Sequence, residues 1–491
     1  MNILFVYSVD GIRSSSKPLR ILEQMQLGIS YISAYLKKQG HSTKLLVLGR
    51  NLLENNKSVV DTKMINKYIV GYNPKMICFT AVATEYQYIT EVAKYIKRRY
   101  PDIYLMIGGP HASLNPEEVL SDCYDAVCIG EGEYPTNELA SQLERGKRPS
   151  GIANLWIKHG ASIEKNKTRS FLPELDSMPF PDREIWIEWV EEEQVERLYV
   201  LLGRGCPFQC AYCCNHALGK LSPGTYVRLR STDNILEEIK ELTIRFPELK
   251  EIYLEIETMG INKKWAIELC SKLMKLNRDL DNPLTFGTNL RITPNANMED
   301  LFAAFKKSNF RFVNIGLESG SERIRREVLR RNYSNQDIIQ AVKLAKKYGL
   351  KVCLYNMLGF PGETPADFME TVQINRICLP DWHLTSIFFP YPGTDLFQLC
   401  KEKGFIKGDL DATAERMRAV LDLPTYPKNQ IQRNYLWFDY YVYRGRKPLY
   451  KILPRIIVSR IKADFYVLGY LYRIIMRWPL LKWLKKYLKE Y

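Results

Sequence analysis

The chain has 491 residues, of which 46% are hydrophobic and 25% charged, a composition typical of a folded soluble protein with two or three domains. Its net charge of +15 is concentrated in residues 440–491, which contain 13 Lys and Arg against two acidic residues, so no nucleic-acid partner is expected. Eleven scattered cysteines exclude a disulfide framework and predict a cytoplasmic protein. The N-terminus is unlike a signal peptide, and no apolar run approaches the roughly 20 residues that span a bilayer.

Residues 1–149 are predicted to form an α/β domain with an open, doubly wound parallel sheet, because short apolar runs alternate with amphipathic segments. The predicted strands are Ile3–Val9, Thr43–Leu48, Lys75–Thr80, Ile103–Ile107 and Asp125–Ile129. The predicted helices include Leu27–Gln39, Tyr86–Tyr100 and Pro116–Ser121. Two glycine-rich loops follow strands, at 108–112 and 130–133. Such loops either let the backbone approach a large flat ligand or make a tight turn.

Residues 150–195 are predicted to be a connector. The runs Asn154–Ile157 and Ala161–Lys165 flank His159-Gly160 and predict a short hairpin. Three prolines then interrupt regular structure and indicate a crossing between domains.

Three cysteines follow the next strand-like run at C-x3-C-x2-C spacing: Cys206, Cys210 and Cys213. This spacing can close on one metal centre, and a [4Fe-4S] cluster held by three thiolates keeps one iron open for chemistry. Cys214 adjoins Cys213, so the two side chains would have difficulty reaching one cluster from the same side. The alternative is a zinc knuckle with His216 as the fourth ligand.

Residues 196–407 are predicted to form a partial (β/α)6 barrel of the TIM type, because six strand-like runs alternate with helical segments. The predicted strands are Leu198–Leu202, Glu251–Ile256, Leu284–Thr288, Phe312–Gly316, Val352–Leu358 and His383–Phe389. The predicted helices are Asp233–Ile244, Lys264–Leu276, Met298–Lys307, Gln336–Tyr348 and Ala366–Arg376. Polar and glycine-rich motifs follow these strands and should converge on the rim that carries the cysteines.

The cysteine spacing, the aromatic Tyr212 and the order of the strand-end motifs resemble the radical S-adenosylmethionine (SAM) enzymes. The resemblance implies that the three cysteines bind a [4Fe-4S] cluster whose open iron chelates SAM, and that reductive cleavage yields a 5′-deoxyadenosyl radical. It also implies a low-potential electron donor, flavodoxin or ferredoxin. The residues that the resemblance places at SAM are Phe208, Tyr212, Glu257, Arg291, Glu318, Ser319, Gly359 and Pro361. The segment around Glu257 differs from the acidic pair usual in relatives.

The first domain resembles the cobalamin-binding domain of the cobalamin-dependent members, through residues 27–32, the two glycine-rich loops and its place before the cysteines. The residues that this resemblance places at cobalamin are Gly28, Thr80, Gly108, Gly109, Pro110, His111, Gly130, Glu131, Gly132 and Glu133. The D-x-H-x-x-G motif, whose histidine ligates cobalt in one class of cobalamin proteins, is absent. No histidine is therefore expected on cobalt, and His111 is expected to hydrogen-bond or support a turn. The alternative is a degenerate sheet without cofactor.

Residues 408–491 are predicted to form a basic, aromatic helical tail. Its aromatic residues include Tyr466, Tyr470, Tyr472, Trp478 and Trp483. Basic and aromatic residues interleaved with Leu and Ile predict a helix that rests on an anionic membrane surface, at the inner face of the membrane. The alternative is a helical cap packed on the barrel.

The predicted function is a cobalamin-dependent radical SAM methyltransferase that acts on an unactivated carbon of a small-molecule or lipid-linked substrate. No catalytic base is identified from the sequence. The alternatives are an oxidative cyclisation or rearrangement enzyme, a radical SAM enzyme without cobalamin, and a non-catalytic metal-binding protein at a membrane.

Overall fold

The computed structural model describes residues 1–10, 17–50, 60–294, 297–408, 410 and 415–463. The chain forms two compact units. The first comprises residues 1–208, 213–255 and 392–394, and the second comprises residues 209–212, 256–391 and 395–491.

A seven-stranded sheet forms much of the first unit, with strand order β2-β1-β3-β4-β5-β6-β7. Its strands are β1 (Asn2–Asp10), β2 (Ser42–Arg50), β3 (Met76–Thr80), β4 (Tyr104–Gly108), β5 (Ala126–Cys128), β6 (Leu155–His159) and β7 (Ser162–Lys165). Its helices are α1 (Leu27–Lys38), α2 (Thr62–Tyr72), α3 (Tyr86–Arg99), α4 (Pro110–Leu114), α5 (Pro116–Ser121) and α6 (Glu133–Glu144). Strands β1 to β5 pair in parallel, as predicted. The order reverses between β1 and β3, and ligands of such sheets bind beyond the carboxyl ends of the strands at this point.

The predicted hairpin exists and extends this sheet. Strand β6 pairs antiparallel with β5, with Ala126 opposite Ile157, and β7 pairs with β6. Asn154 reinforces the junction, because its side chain donates to the Ile129 carbonyl at 2.6 Å. An isolated two-stranded hairpin is marginally stable, so pairing with β5 stabilises it. The sequence predicted the hairpin but not this partner.

The rest of the first unit carries the cysteine loop. Its elements are α7 (Glu184–Ile187), β8 (Arg197–Leu201), β9 (Gly203–Arg204), α8 (Cys214–Leu218), β10 (Arg228–Leu229), α9 (Thr232–Arg245) and β11 (Glu251–Glu255). Strands β8 and β11 pair in parallel. Strands β9 and β10 form an antiparallel ribbon that the sequence did not predict.

Four parallel strands form the centre of the second unit and pair in chain order: β12 (Thr285–Leu290), β13 (Phe310–Glu318), β14 (Lys351–Leu358) and β15 (Trp382–Ile387). The helices that alternate with them are α10 (Lys263–Asp279), α11 (Glu299–Lys307), α12 (Asn335–Lys347), α13 (Pro365–Cys378) and α14 (Asp395–Glu402). Side chains of Asn262, Ser334 and Thr364 cap α10, α12 and α13. All predicted strands of both domains are found, and their ends agree within two residues.

Three helices end the described chain: α15 (Lys428–Leu436), α16 (Phe438–Tyr443) and α17 (Leu449–Ala463). They contribute six side chains to the hydrophobic core that contains Leu358 and Phe368: Ile431, Phe438, Val442, Tyr443, Ile452 and Ile456. Up to Ile456 the tail is therefore a cap on the second unit. The predicted membrane aromatics, from Tyr466 to Trp483, lie outside the described residues. Within the described ranges, every helix is too short or too polar to cross a bilayer.

Candidate functional site

The cysteine loop begins directly after β9. Gly205 has φ +85°, and a Cβ there would overlap the Tyr226 carbonyl, so only glycine fits this turn. Cys206 and Cys213 are half-buried in the first unit, and Cys210 is buried in the second. None of the eleven cysteines forms a disulfide.

Two arginines of the second unit lie beside the Cys210 thiol. Arg291 Nη1 donates to Cys210 Sγ at 2.7 Å, and Arg331 Nη1 lies 3.9 Å from the same sulfur. Nearby positive charge favours a thiolate, which is the form that ligates iron. These surroundings fit an anionic iron–sulfur cluster. Among the described residues, no three His, Cys, Asp or Glu side chains are grouped for a single metal ion, whereas in a four-iron cluster each thiolate binds its own iron.

Arg331 also organises the residues around Tyr212. Its Nη1 donates to the Tyr212 hydroxyl at 2.9 Å and lies 3.1 Å from Glu318 Oε1, while Nε donates to the Tyr333 hydroxyl at 3.0 Å. Burial raises the pKa of Tyr212 well above its usual value, although Arg331 acts in the opposite sense, so the phenol stays protonated. Glu318 has φ +61°, a strained conformation that these contacts hold in place.

Sequence reasoning missed Arg331 and Tyr333. The pair Arg330-Arg331 is visible in the sequence, but only the structure shows that the two arginines differ in burial and in partners. Arg330 is half-exposed and bonds Asp395, whereas Arg331 is buried.

The other residues predicted at SAM have different surroundings. Ser319 is fully buried, and its Oγ accepts from the Ser321 amide at 3.2 Å, so it supports the turn after β13. Glu257 is exposed after β11, and Phe208 is half-buried in the first unit. The structure thus brings Tyr212, Arg291 and Glu318 together around Cys210 and Arg331.

Gly359 and Pro361 lie in the buried turn that leads into α13. The backbone amides of Gly359 and Phe360 donate to the Glu363 carboxyl, and Gly359 has φ +86°. A Cβ on Gly359 would lie 3.3 Å from Ile431 Cγ2 and 3.5 Å from Ile387 Cγ2, so the turn is closely packed. Burial raises the pKa of Glu363 to about 8, so its carboxyl is largely protonated at neutral pH. The side chain of Thr364 caps α13 directly after this turn.

The carboxyl edge of the seven-stranded sheet brings Thr80 and Gly109 together. Thr80 ends β3 and Gly108 ends β4. Gly109 has φ +98°, and an added Cβ would lie 2.8 Å from Thr80 Oγ1 and 2.9 Å from the Ala81 carbonyl. Thr80, Gly108 and Gly109 form what we call the glycine edge, which lies next to the point between β1 and β3 where the strand order reverses. Gly28 is exposed at the start of α1. A backbone surface without side chains suits a large planar macrocycle such as a corrin.

The imidazole ring of His111 packs against another ring and forms no hydrogen bond to any described residue. The residue lies in α4, its ring contacts the Tyr86 ring at 4.3 Å between centroids, and neither ring nitrogen has a hydrogen-bond partner. Burial lowers its pKa to about 4, so the imidazole is neutral at physiological pH. Within the described residues the ring therefore makes no hydrogen bond, whereas the backbone supports the turn after β4, because the Asn115 amide donates to the His111 carbonyl at 2.9 Å.

Two segments of the first domain contact the region around the cysteine loop: α4, which follows β4, and the loop after β5. Pro110–Leu114 (α4) packs against Cys214–Leu218 (α8) within the first unit. The carboxylates of Glu131 and Glu133, which follow Gly130 and Gly132, form ion pairs with Arg204 and Arg228. Both glutamate side chains are thus engaged by protein.

Two family models match the chain. Residues 22–140 match the B12 binding domain and residues 200–374 match the Radical SAM superfamily. The uncharacterized methyltransferase PH0819 of Pyrococcus horikoshii is 28% identical over 375 residues, which are 76% of this chain and 77% of that protein. The anaerobic magnesium-protoporphyrin IX monomethyl ester cyclase of Rubrivivax gelatinosus is 24% identical over 386 residues, 76% of this chain and 66% of that protein.

The fold is similar to that of a solved structure with both cofactors. The radical SAM methyltransferase TsrM from Kitasatospora setae, with cobalamin and a [4Fe-4S] cluster bound, aligns with a TM-score of 0.65 at 15% identity, over 91% of this chain and 89% of that one. The predicted order of a cobalamin domain followed by a radical SAM domain is confirmed. The chain thus carries a B12 binding domain followed by a radical SAM domain, and the cofactors of these domains are a [4Fe-4S] cluster, SAM and cobalamin.

Proposed function

We propose that this enzyme transfers a methyl group from SAM to an unactivated carbon of a small-molecule or lipid-linked substrate. The observation that carries the proposal is the joining of a B12 binding domain and a radical SAM domain in one chain. A relative named as a methyltransferase, similar along three quarters of the chain, supports methyl transfer.

The residues around Cys210 have distinct tasks in this proposal. When bound, the three cofactors supply radical hydrogen abstraction and a transferable methyl group. Arg291 and Arg331 place two guanidinium groups beside the Cys210 sulfur, where their positive charge suits an anionic cluster. Glu318 presents a fixed carboxylate that can accept hydrogen bonds from hydroxyl or ammonium groups, and Arg331 holds it in place.

Isotope transfer tests the proposal. Protein purified without oxygen and loaded with cluster and cobalamin is incubated with reductant, fractionated metabolites and lipids, and SAM that carries a trideuterated methyl group. We expect 5′-deoxyadenosine together with a product that contains the trideuteromethyl group. The Cys210→Ala variant should form neither. Flavodoxin or ferredoxin, the proposed donor, should replace the chemical reductant.

Similarity to a magnesium-protoporphyrin ester cyclase favours a second candidate, oxidative cyclisation or rearrangement. That function would give 5′-deoxyadenosine and a modified substrate without the deuterated methyl group. A non-catalytic metal-binding protein would give no 5′-deoxyadenosine at all. The same experiment therefore separates the three functions.

We also propose that the enzyme acts in the cytoplasm and that α17 attaches it to an anionic membrane surface. Ile452 and Ile456 are buried in the cap, while an adjacent face of the helix exposes four apolar side chains: Leu449, Tyr450, Leu453 and Ile457. Arg444 and Arg446 are exposed just before this stripe. An apolar stripe bordered by basic groups is typical of an interfacial helix, and each basic residue near anionic lipid adds roughly 1 kcal/mol.

Cosedimentation with phosphatidylserine-containing vesicles at moderate salt tests the attachment. The full chain should sediment, the Leu453→Asp/Ile457→Asp variant should stay in the supernatant, and Val70→Asp, at an exposed position on α2, should behave as the parent. Point substitutions are used because a truncation before α15 would remove Phe438 and other core residues. If the full chain stays in the supernatant, or if the stripe instead mediates self-association without lipid, the proposal is wrong.

A further inference from the structure

The ribbon of β9 and β10 forms the base of the cysteine loop. Arg204 lies directly opposite Arg228, and Gly203 lies opposite Leu229. A Cβ on Gly203 would overlap the Arg228 carbonyl, so the two strands approach closely. The chain leaves the ribbon at Arg204, passes through the three cysteines and α8, and returns at Arg228. Contacts that hold this ribbon therefore hold both ends of the loop.

The positively charged side chains of Arg204 and Arg228 face each other across the ribbon. Two like charges directly opposite each other are destabilising unless an opposite charge compensates them. Glu131 compensates both, because Arg204 Nη1 and Arg228 Nη1 each lie 3.0 Å from its Oε1. Glu133 Oε1 accepts from Arg204 Nη2 at 2.6 Å. The exposed fraction of each of the four side chains is at most 22%, so the ion pairs are poorly screened by solvent.

Other polar atoms of this network also have partners. Glu131 Oε2 accepts from the Leu172 amide at 2.8 Å, and Arg228 Nη1 donates to the Leu172 carbonyl at 2.8 Å. The Arg204 guanidinium lies over the Tyr31 ring of α1 at 5.3 Å. Burial works against the charged form of Glu131, but Arg228 and Arg204 outweigh it and lower its pKa. A buried network whose members are satisfied is rigid and costly to break.

We propose that Glu131 and Glu133 are positioning residues for the iron–sulfur cluster and do not contact cobalamin. Through Arg204 they hold the chain two residues before Cys206, and through Arg228 Glu131 holds the strand to which the loop returns. The loop after β5 and the base of the cysteine loop then behave as one rigid piece of the first unit. The proposal depends on the cluster that the family carries and not on methyl transfer.

Iron retention tests the proposal without any substrate. The test variants are Glu133→Gln and Glu131→Gln. The matched control is Glu138→Gln, because Glu138 lies on α6, as Glu133 does, and its substitution removes an ion pair to Arg169. Substitution of a group that orients a metal ligand typically weakens metal binding by about 10-fold or more. We therefore expect a chelator to remove iron from both test variants about 10-fold faster than from the parent, with Glu138→Gln unchanged. Affinity for cobalamin should match the parent in all three.

A double variant shows whether the effect passes through the arginine. Iron loss from Arg204→Met/Glu133→Gln should be no faster than from Arg204→Met alone, because residues that act through one contact are not additive. In apoprotein, amide hydrogen exchange over residues 203–216 should be faster in Glu133→Gln than in Glu138→Gln. If Glu133→Gln fails to fold, Arg204→Lys keeps the charge and should lose iron at an intermediate rate.

Two results would overturn the proposal. Parent-like iron retention in folded Glu131→Gln and Glu133→Gln would show that the ion pairs do not position the cluster. Weaker cobalamin binding with parent-like iron retention would show that the glutamates bind the corrin, as the resemblance first implied. A failure of methyl transfer alone leaves both measurements interpretable.

Discussion

Cys210 has two guanidinium neighbours, whose positive charge suits an anionic iron–sulfur cluster. Arg291 directly follows β12, whereas Arg331 lies in the connection between β13 and α12, so their convergence on one sulfur has no sign in the spacing of the cysteines. The cysteine motif identifies the three iron ligands, but only the structure shows the two arginines beside Cys210.

Removal of each predicted cluster ligand should abolish the cluster. Protein purified without oxygen should contain about four irons per chain, and Cys206→Ala, Cys210→Ala and Cys213→Ala should each lose them. Cys214→Ala is the control and should keep its iron. Metal analysis that finds stoichiometric zinc and no iron in the parent would contradict the prediction.

Glu363 should make the stability of the apoprotein depend on pH. Its pKa is raised from 4.5 to about 8 in the folded protein, so between these values the unfolded chain loses a proton that the folded chain keeps. Stability should therefore fall as pH rises from about 4.5 to 8, by an amount on the order of a few kcal/mol, and level off above it. Glu363→Gln lacks this loss, so its Tm relative to the parent should increase from pH 5 to pH 8.

The control for this pH dependence is Glu402→Gln, at an exposed position at the end of α14. This substitution controls for the loss of one exposed carboxyl group, and the Tm profiles of the three proteins are compared over the same pH range. Parallel Tm profiles of parent and Glu363→Gln would show that the buried carboxyl is not protonated.

At the scale of elements, the approach of β3 and the loop after β4 defines the glycine edge of the first sheet. Gly109→Ala should destabilise this edge twice, through its positive φ and through overlap with Thr80 and Ala81. Gly146→Ala is a matched control, since Gly146 has φ +67° but open space around it. Positive φ alone costs about 1–2 kcal/mol, so Gly109→Ala should lower the Tm more than the control and weaken cobalamin binding. Equal Tm values and affinities for the two variants would contradict this.

For the whole molecule, the main consequence of the fold is that the C-terminal helices belong to the core of the second unit. Phe438→Ala removes a ring that is 2% exposed and packs against Phe368, so a loss of about 3–5 kcal/mol is expected. Leu453→Ala, on the exposed face of α17, should cost less than about 1 kcal/mol. Urea unfolding of both variants without lipid measures the difference. A small effect of Phe438→Ala would show that the cap is dispensable.

The amino-acid sequence by itself determined the fold class, the strands of both domains and the three cysteines. These features are written in short-range patterns, because apolar periodicity and motif spacing involve residues close along the chain. The parallel order of β1 to β5 followed from the same alternation of strands and helices. The helical character of residues 428–463 was also visible locally.

Only the tertiary structure decided the partners of these elements. The hairpin pairs with β5, Arg331 reaches Tyr212 from 119 residues away, and Glu131 reaches Arg204 from 73 residues away. Such contacts depend on where distant loops cross, which spacing along the chain does not encode. Ser319 and Gly359 show the same limit, because each lies at a predicted strand end but is buried by neighbours from other elements. Burial and ion pairing depend on the packing of the whole chain. They therefore distinguish the residues that lie near Cys210 from others that the sequence assigned to the same site.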